Sequence, residues 1–333
     1  MRSHCTKYLV TILCFLGVFR LHSEQHPSNC AVTYEFSGGR LGDNIISYMH
    51  AKWISYKYQI PLLYKPFPYS NELVLDDMET RVTRHRSAKY RRIVYLGKDQ
   101  TVDLNVKVST LYVVPYFPES ECERRCFTGP GSLPWPYFEV NWNDPGFKAC
   151  ICEMIKPKTK LQLCPVQKDK LNVALHIRLG GDCQHDKGIG SGTPQKSPPE
   201  TFYFEQLETI CRIFRSEKIH VHLFTDDSNP SRLAHHCREY LNEERVEFTY
   251  RESGNVFDKN VLEDLFSLMQ FDCLIRPESN FSIVASLLTD YKVLIYPDDF
   301  TFMGKTPYIN KVKIKGSHEG LSNENSYNCA WQR

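Results

Sequence analysis

The hydrophobic positions of this chain change period several times, and each change marks an element. Ala31 to Phe36 alternates like a strand, Ser37 to Gly42 is a Gly-rich turn, and Ile45, Tyr48, Met49, Trp53 and Ile54 recur at helical spacing through Asn44 to Tyr58. Pro61 to Tyr64, Ile93 to Leu96 and Leu111 to Val114 add strands. Pro115 to Phe147 is crowded with Pro, Trp, Tyr and Phe, has no clear period and reads as a long ordered loop. Lys156 to Lys170 is polar and Lys-rich, the composition of a domain boundary. Beyond it the pattern predicts strands at Asn172 to Ile177, Ile219 to Thr225, Val246 to Tyr250, Cys273 to Arg276 and Lys292 to Tyr296. Helices are predicted between them at Pro199 to Arg215, Pro230 to Leu241, Val261 to Phe271 and Phe281 to Leu288. Strands separated by helices imply an α/β fold with doubly wound parallel sheets, here two Rossmann-like units over 30–165 and 170–300 with an extension over 301–333.

Composition narrows the class. The 333 residues suffice for two ordinary domains, and the 41% hydrophobic and 24% charged fractions are those of a globular protein. A net charge of +2 gives no basis for a nucleic-acid partner held by bulk charge. The first residues are basic, Tyr8 to Phe19 is apolar and the chain then turns polar, so 1–23 reads as a signal peptide or a short signal-anchor through which the protein would associate with a membrane. A run of 12 apolar residues falls short of the roughly 20 needed to span a bilayer. Of the 13 cysteines, Cys5 and Cys14 lie in that leader. Cys122 with Cys126 and Cys150 with Cys152 flank the aromatic segment and are candidates for disulfides, whereas Cys211, Cys237 and Cys273 fall in helix or strand patterns and read as buried thiols. The setting expected is the secretory pathway: the Golgi or ER lumen or outside the cell, or the envelope if the source is bacterial.

Four clusters sit where this topology places functional groups, each just after a strand: Ser37-Gly-Gly-Arg-Leu-Gly-Asp-Asn44, His176-Ile-Arg-Leu-Gly-Gly-Asp182, Phe224-Thr-Asp-Asp227 and Arg276-Pro-Glu-Ser-Asn-Phe-Ser282. In the second, Val173, Leu175 and Ile177 alternate with Ala174, His176 and Arg178, so a strand holds the charged groups at its carboxyl end while two glycines admit a ligand to the backbone.

In these clusters the chain resembles the α-1,2-fucosyltransferase family and, more distantly, the α-1,6- and protein O-fucosyltransferases. The family's Gly-Gly-Leu-Gly-Asn-Gln run is similar to Gly38 to Asn44, its His-x-Arg-Arg-Gly-Asp run to His176 to Asp182, its Ser-Asp-Asp run to Thr225 to Asp227, and its closing helix-strand-loop to Asp264 to Ser282. Leu179 stands where the family often has a second Arg, the Gly-Asp end is displaced by one Gly, and Ile283-Val284 replaces a Trp pair. Asp43 takes the place of the family's Asn, and Arg40 is similar to the protein O-fucosyltransferases. The resemblance implies a GT-B-like fold, with an acceptor-side unit over 30–165 and a nucleotide-sugar unit over 170–300 facing a cleft. It implies an inverting transferase that moves fucose from GDP-fucose to a glycan hydroxyl and needs no metal or other cofactor.

Within that reading Arg178 neutralises the β-phosphate as it leaves, the alternative being a structural pair with Asp182. Asp43 is the candidate general base or, equally, a helix cap. Donor-binding candidates are Gly38, Gly39, Arg40, Gly42, Asn44, His176, Gly181, Asp182, Asp226, Asp227, Ser279, Asn280, Phe281 and Ser282. Several have plainer readings: a backbone-satisfying role for His176, a capping role for Asp227 before Pro230 and a cap for Ser279. Asn280-Phe-Ser282 also reads as an N-glycosylation acceptor, and its place in the donor loop predicts that it stays bare. Trp135, Tyr137 and Trp142 are candidates for stacking on sugar, against the plainer reading of a hydrophobic cluster. The competing functions are transfer from another nucleotide sugar and a catalytically silent sugar-binding protein of the same fold.

Overall fold

The computed structural model describes residues 29–97, 101–119, 140–178, 194–256, 258–304, 306–317 and 325–328. Strand β1 (Cys30–Tyr34) leads into helix α1 (Leu41–Tyr58). Short β2 (Leu63–Tyr64) and β3 (Thr80–Arg81), then β4 (Arg92–Tyr95) and β5 (Thr110–Val114), complete the strands of the first unit. β1, β5 and β4 form a parallel sheet in the order β1-β5-β4, and a bridge from Val32 to Leu62 sets the chain just ahead of β2 beside β1. The aliphatic runs of β1 and β5 are buried along their whole length, as strands covered on both faces must be.

Helix α2 (Pro145–Ile155) follows, inside and beyond the stretch whose period suggested only a loop. Its start is local chemistry: the Asp144 side chain accepts the Phe147 N–H at 2.8 Å and Pro145 occupies the first helical position. Cys150 and Cys152 lie on this helix as free thiols. Two residues apart on a helix, their side chains leave in divergent directions: Cys152 Sγ faces the Leu288 carbonyl, whereas Cys150 lies among charges on Lys52 and Glu79. The disulfide candidates Cys122 and Cys126 lie outside the described residues. The Lys-rich boundary segment is docked at both ends, Lys156 accepting from the Val74 N–H and Cys164 N–H donating to Ser267 Oγ.

The second unit runs β6 (Leu171–Ile177), α3 (Glu200–Ile213), β7 (Ile219–Thr225), α4 (Pro230–Leu241), β8 (Val246–Tyr250), α5 (Val261–Leu268), β9 (Cys273–Ile275), α6 (Asn280–Leu288) and β10 (Val293–Met303). β10 turns back into an antiparallel hairpin with β11 (Thr306–Lys315), and β12 (Asn325–Asn328) adds to its edge. The expected strand at 292–296 is thus the first half of a longer one. Register shifts at Pro297 and Asp299 break the alternation that would have revealed the rest, and Gly304 turns the hairpin at φ +66°. The five parallel strands are ordered β10-β9-β6-β7-β8, so the winding reverses between β6 and β9. That reversal is the topological switch of a doubly wound sheet.

Two large cores follow from the layering of the described residues, beside a small cluster of Ala31, Leu63 and Leu111. One face of the second sheet packs Leu175, Ile177, Val221 and Ile275 against Phe202, Leu207 and Ile210 of α3 and Leu233 and Cys237 of α4. On the other face Ala174, Phe224 and Leu274 join a core containing α1, α2, α5, α6 and the inner face of the first sheet, so the two units share one apolar layer of helices. His220 and His222 of β7 are buried here too, and Thr249 Oγ1 bonds both rings at 2.7 and 2.8 Å. Among the described residues no helix is long and apolar enough to cross a membrane.

Candidate functional site

Strand alternation decides which side chains meet the crevice at the switch. On β6 the even positions Ala174, His176 and Arg178 share one face. The ladders pair His176 with Phe224 and Ala174 with Leu274, and both partners belong to the core shared with the first unit. One step past each ladder, Arg178 stands opposite Asp226 and His176 opposite Arg276. His176, Arg178, Asp226 and Arg276 thus gather at the carboxyl ends of β6, β7 and β9, on the side where α1 and α6 begin.

These groups are unevenly satisfied. Arg178 is half-buried, and no hydrogen bond or ion pair joins its guanidinium to any described residue. His176 Nδ1 is buried without a partner, and its ring lies 5.8 Å from that of Phe281. Burial pushes the His176 imidazole down to about 4, Arg178 and Arg276 push the same way and Asp226 opposes them, so the ring is neutral at pH 7. Arg276 is 5% exposed. Its Nη1 donates to the Pro277 carbonyl at 3.0 Å and to Glu278 Oε1 at 3.1 Å, its plane lies 4.2 Å over the Tyr296 ring, and its Nε has no partner. Gln195 Oε1 and Ser197 Oγ, on the segment before α3, are buried and unpartnered as well. Asp227 is taken up locally: it accepts from the Asn229 N–H at 2.9 Å and pairs with Arg232, while Asn229 caps α4.

Helix α6 starts at this edge with Ser279 in the N-cap position, yet the Ser279 side chain makes no cap bond. Ser282 Oγ donates back to the Ser279 carbonyl at 3.2 Å. Ser279, Asn280 and Ser282 are all buried. Gly42 of α1 packs directly on this turn, where a Cβ would lie 2.4 Å from Phe281 N and 2.5 Å from Asn280 C, so only glycine allows the two helix starts to touch.

Asp43 fastens that contact. Its Oδ1 accepts from Asn280 Nδ2 at 2.8 Å and from the Tyr116 hydroxyl at 3.0 Å, and its Oδ2 accepts from the Arg40 N–H at 3.1 Å. Asn280 Nδ2 donates its second hydrogen to Tyr116 at 2.9 Å. The loop before α1 is exposed, with Gly38 at φ +85° and Gly39 held so close to Asp43 that a Cβ would meet the carboxylate at 2.4 Å. Asn44 is buried one position farther along α1. A glycan on Asn280 would displace both bonds of a buried amide, so the sequon is occupied by structure.

The structure therefore assembles Gly42, Asp43, His176, Arg178, Asp226 and the 279–282 turn around one edge, with Gly38, Gly39 and Arg40 at its exposed rim and Asp227 aside. Gly181 and Asp182 lie outside the described residues, as do Trp135 and Tyr137. Trp142 packs on Phe147 and His50, the hydrophobic-cluster reading. Tyr116 is not among the sequence candidates, and Arg276, which heads the fourth cluster, is given no role there. Arg276 carried the same signal as Arg178, a cation one residue past a buried strand, whereas Tyr116 follows Pro115 in a segment without a period. Among the described residues no group of three or more His, Cys, Asp or Glu could hold a metal ion.

No family model matches the chain. No curated protein matches it either. Solved structures with similar chain paths include POFUT1 in complex with GDP-fucose, at 13% identity and a TM-score of 0.42, covering 80% of this chain and 96% of that one. A mutant of Arabidopsis thaliana FUT1 in complex with GDP gives 11% identity and a TM-score of 0.43 over 86% of this chain and 74% of that one. The NodZ α-1,6-fucosyltransferase soaked with GDP-fucose gives 12% identity and a TM-score of 0.38 over 81% and 94%.

Proposed function

We propose that the protein is an inverting glycosyltransferase that binds a nucleoside diphosphate sugar at the β6/β9 switch, with GDP-fucose as donor and a glycan hydroxyl as acceptor. The observation that carries the reading is Arg178: a guanidinium without a partner among the described residues, at the carboxyl end of the switch strand and on the same strand face as His176, whose ring lies 5.8 Å from that of Phe281 at the start of α6. Charge develops on the β-phosphate as the sugar leaves, and a cation fixed there stabilises the transition state more than the ground state. Neutral His176 can orient the donor through Nδ1 without adding charge. The choice of guanosine and fucose rests on the motif resemblance at 38–44, 176–182, 225–227 and 264–282. The donor is checked by titration calorimetry with GDP, UDP and CMP; heat with GDP alone supports the choice, and heat with UDP or CMP alone overturns it.

A second reading, sugar-nucleotide binding without turnover, is favoured by Asp43, whose carboxylate already accepts three hydrogen bonds and has little capacity left for an acceptor proton. Release of GDP from GDP-fucose, with and without a mixed glycan acceptor set, separates the two. Binding with no release under either condition selects the silent protein.

A further inference from the structure

We propose that Arg276 is a second phosphate-binding residue, gripping the donor diphosphate from β9 while Arg178 grips it from β6. The inference rests on the nucleotide-sugar reading and extends it to a residue of the fourth cluster to which the sequence reading gives no role. Among the described residues Arg276 uses one corner of its guanidinium for structure, since both side-chain hydrogen bonds leave from Nη1. The opposite edge, Nε with Nη2, makes no hydrogen bond to any described residue, and Nε is buried. That edge is the fork that meets an oxyanion with two parallel hydrogen bonds. Leaving a buried cationic N–H without an acceptor is costly, and such groups are rare unless a ligand or water completes them.

The surroundings fix where the fork points. Stacking at 4.2 Å on Tyr296 holds the guanidinium plane, and Glu278 holds the Nη1 corner, so the open edge is preset. Glu278 is itself buried beside Arg276, and its backbone N–H is anchored to the Gln195 carbonyl at 2.8 Å, which leaves the pair no room to swing away. The register puts Arg276 beside His176, whose Nδ1 also lacks a partner. The open groups are of both kinds, a donor on Arg276 and an acceptor on Gln195 Oε1. An oxyanion flanked by hydroxyl groups satisfies both, which is the chemistry of a sugar phosphate.

The test uses the full chain as wild type, Arg276→Lys, Arg276→Met and Glu278→Gln, each checked for native circular dichroism, with calorimetric titration of GDP, guanosine and inorganic pyrophosphate. Lysine keeps the charge but lacks the fork, so Arg276→Lys is expected to weaken GDP and pyrophosphate by about 10- to 100-fold while guanosine binding holds. Glu278→Gln, which leaves the fork in place, is expected to weaken GDP less than Arg276→Lys does. Wild-type affinity for GDP and pyrophosphate in Arg276→Lys overturns the proposal and leaves a structural ion pair beside bound water. Equal loss of guanosine and GDP in both Arg276 variants also overturns it, because the defect then lies in the fold. If the wild type binds pyrophosphate but no nucleotide, the nucleotide-sugar reading falls while the Arg276 series on pyrophosphate still decides the phosphate site. If the wild type binds neither, both fall.

Discussion

The starts of α1 and α6 touch, yet they settle their polar groups in opposite ways. At the start of α1 the carboxylate is taken up: Asp43 accepts hydrogen bonds from Arg40, Tyr116 and Asn280, and Gly39 and Gly42 bring backbone into contact around it. At the β6/β9 edge beside α6, polar atoms of His176, Arg276, Gln195, Ser197 and Asn280 are buried without partners. A folded protein rarely tolerates that many orphans in one place unless something else completes them. On the proposed function, the contrast separates a latch, which joins the two helix starts, from a receptor for the donor. Substitutions on the two sides should therefore fail in different assays.

The largest effect belongs to the receptor. Arg178→Ala should lower the rate of sugar transfer by about 10²- to 10³-fold, the usual cost of removing one preorganised electrostatic contact to a transition state. The thermal midpoint should stay within a few degrees, because the Arg178 guanidinium bonds to no described residue. Steady-state kinetics and a melting curve check both halves. A variant that melts early with unaltered turnover would move Arg178 into the latch.

Acid probes the layer between them. Burial, followed by neighbouring His220 and Arg251, pushes the His222 imidazole down to about 4, while an unfolded chain takes up the proton near pH 6.5. Below pH 6.5 the unfolded state binds more protons than the folded one, so stability is intact at pH 7 and falls as pH drops toward 4. The loss from this ring alone is about 3 kcal/mol. Denaturant unfolding at pH 7.0, 5.5 and 4.5 reads it. A pH-independent midpoint would show that the shared core admits the charge, and His222→Phe should flatten much of the slope if His222 is its source.

How far the sequence reached follows the same contrast. The doubly wound unit was legible because its strands are aliphatic runs broken by helical spacing, and Arg178 was legible because a cation ending such a run has nowhere to go but the strand end. The latch was half legible. Asp43 and Asn280 were candidates, but their bond joins residues separated by 237 positions, and no local pattern encodes it. Tyr116 sits among prolines and aromatics without a period. The β10–β11 hairpin was lost to register shifts beside Pro297, and α2 was hidden because its capping aspartate and first-turn proline look like loop residues until the apolar positions behind them are packed.

Asp43→Asn tests the latch directly. An amide at this position can keep its oxygen toward Tyr116 and Asn280 only by turning its NH2 toward the Arg40 N–H, donor against donor. The expected loss is about 1 to 3 kcal/mol of stability, with nucleotide affinity held. The opposite outcome, normal melting with turnover reduced by two orders of magnitude or more, would make Asp43 the base and dissolve the distinction between the two helix starts.

Ser279→Ala should have the smallest effect and discriminates most finely. At an ordinary N-cap this change costs about 1 kcal/mol, because the hydroxyl satisfies a backbone N–H of the first turn. Here the Ser279 side chain makes no cap bond, so the variant should melt within about 0.5 kcal/mol of wild type. Its hydroxyl belongs to the receptor side, and its loss should weaken GDP binding by about 2- to 10-fold, the worth of one hydrogen bond. Calorimetry and a melting curve on the same preparation decide between the roles. A full capping loss in stability with unchanged GDP affinity would place Ser279 with Asp43 in the latch, whereas the reverse pattern means that α6 is left uncapped in the free protein because its cap arrives with the phosphate.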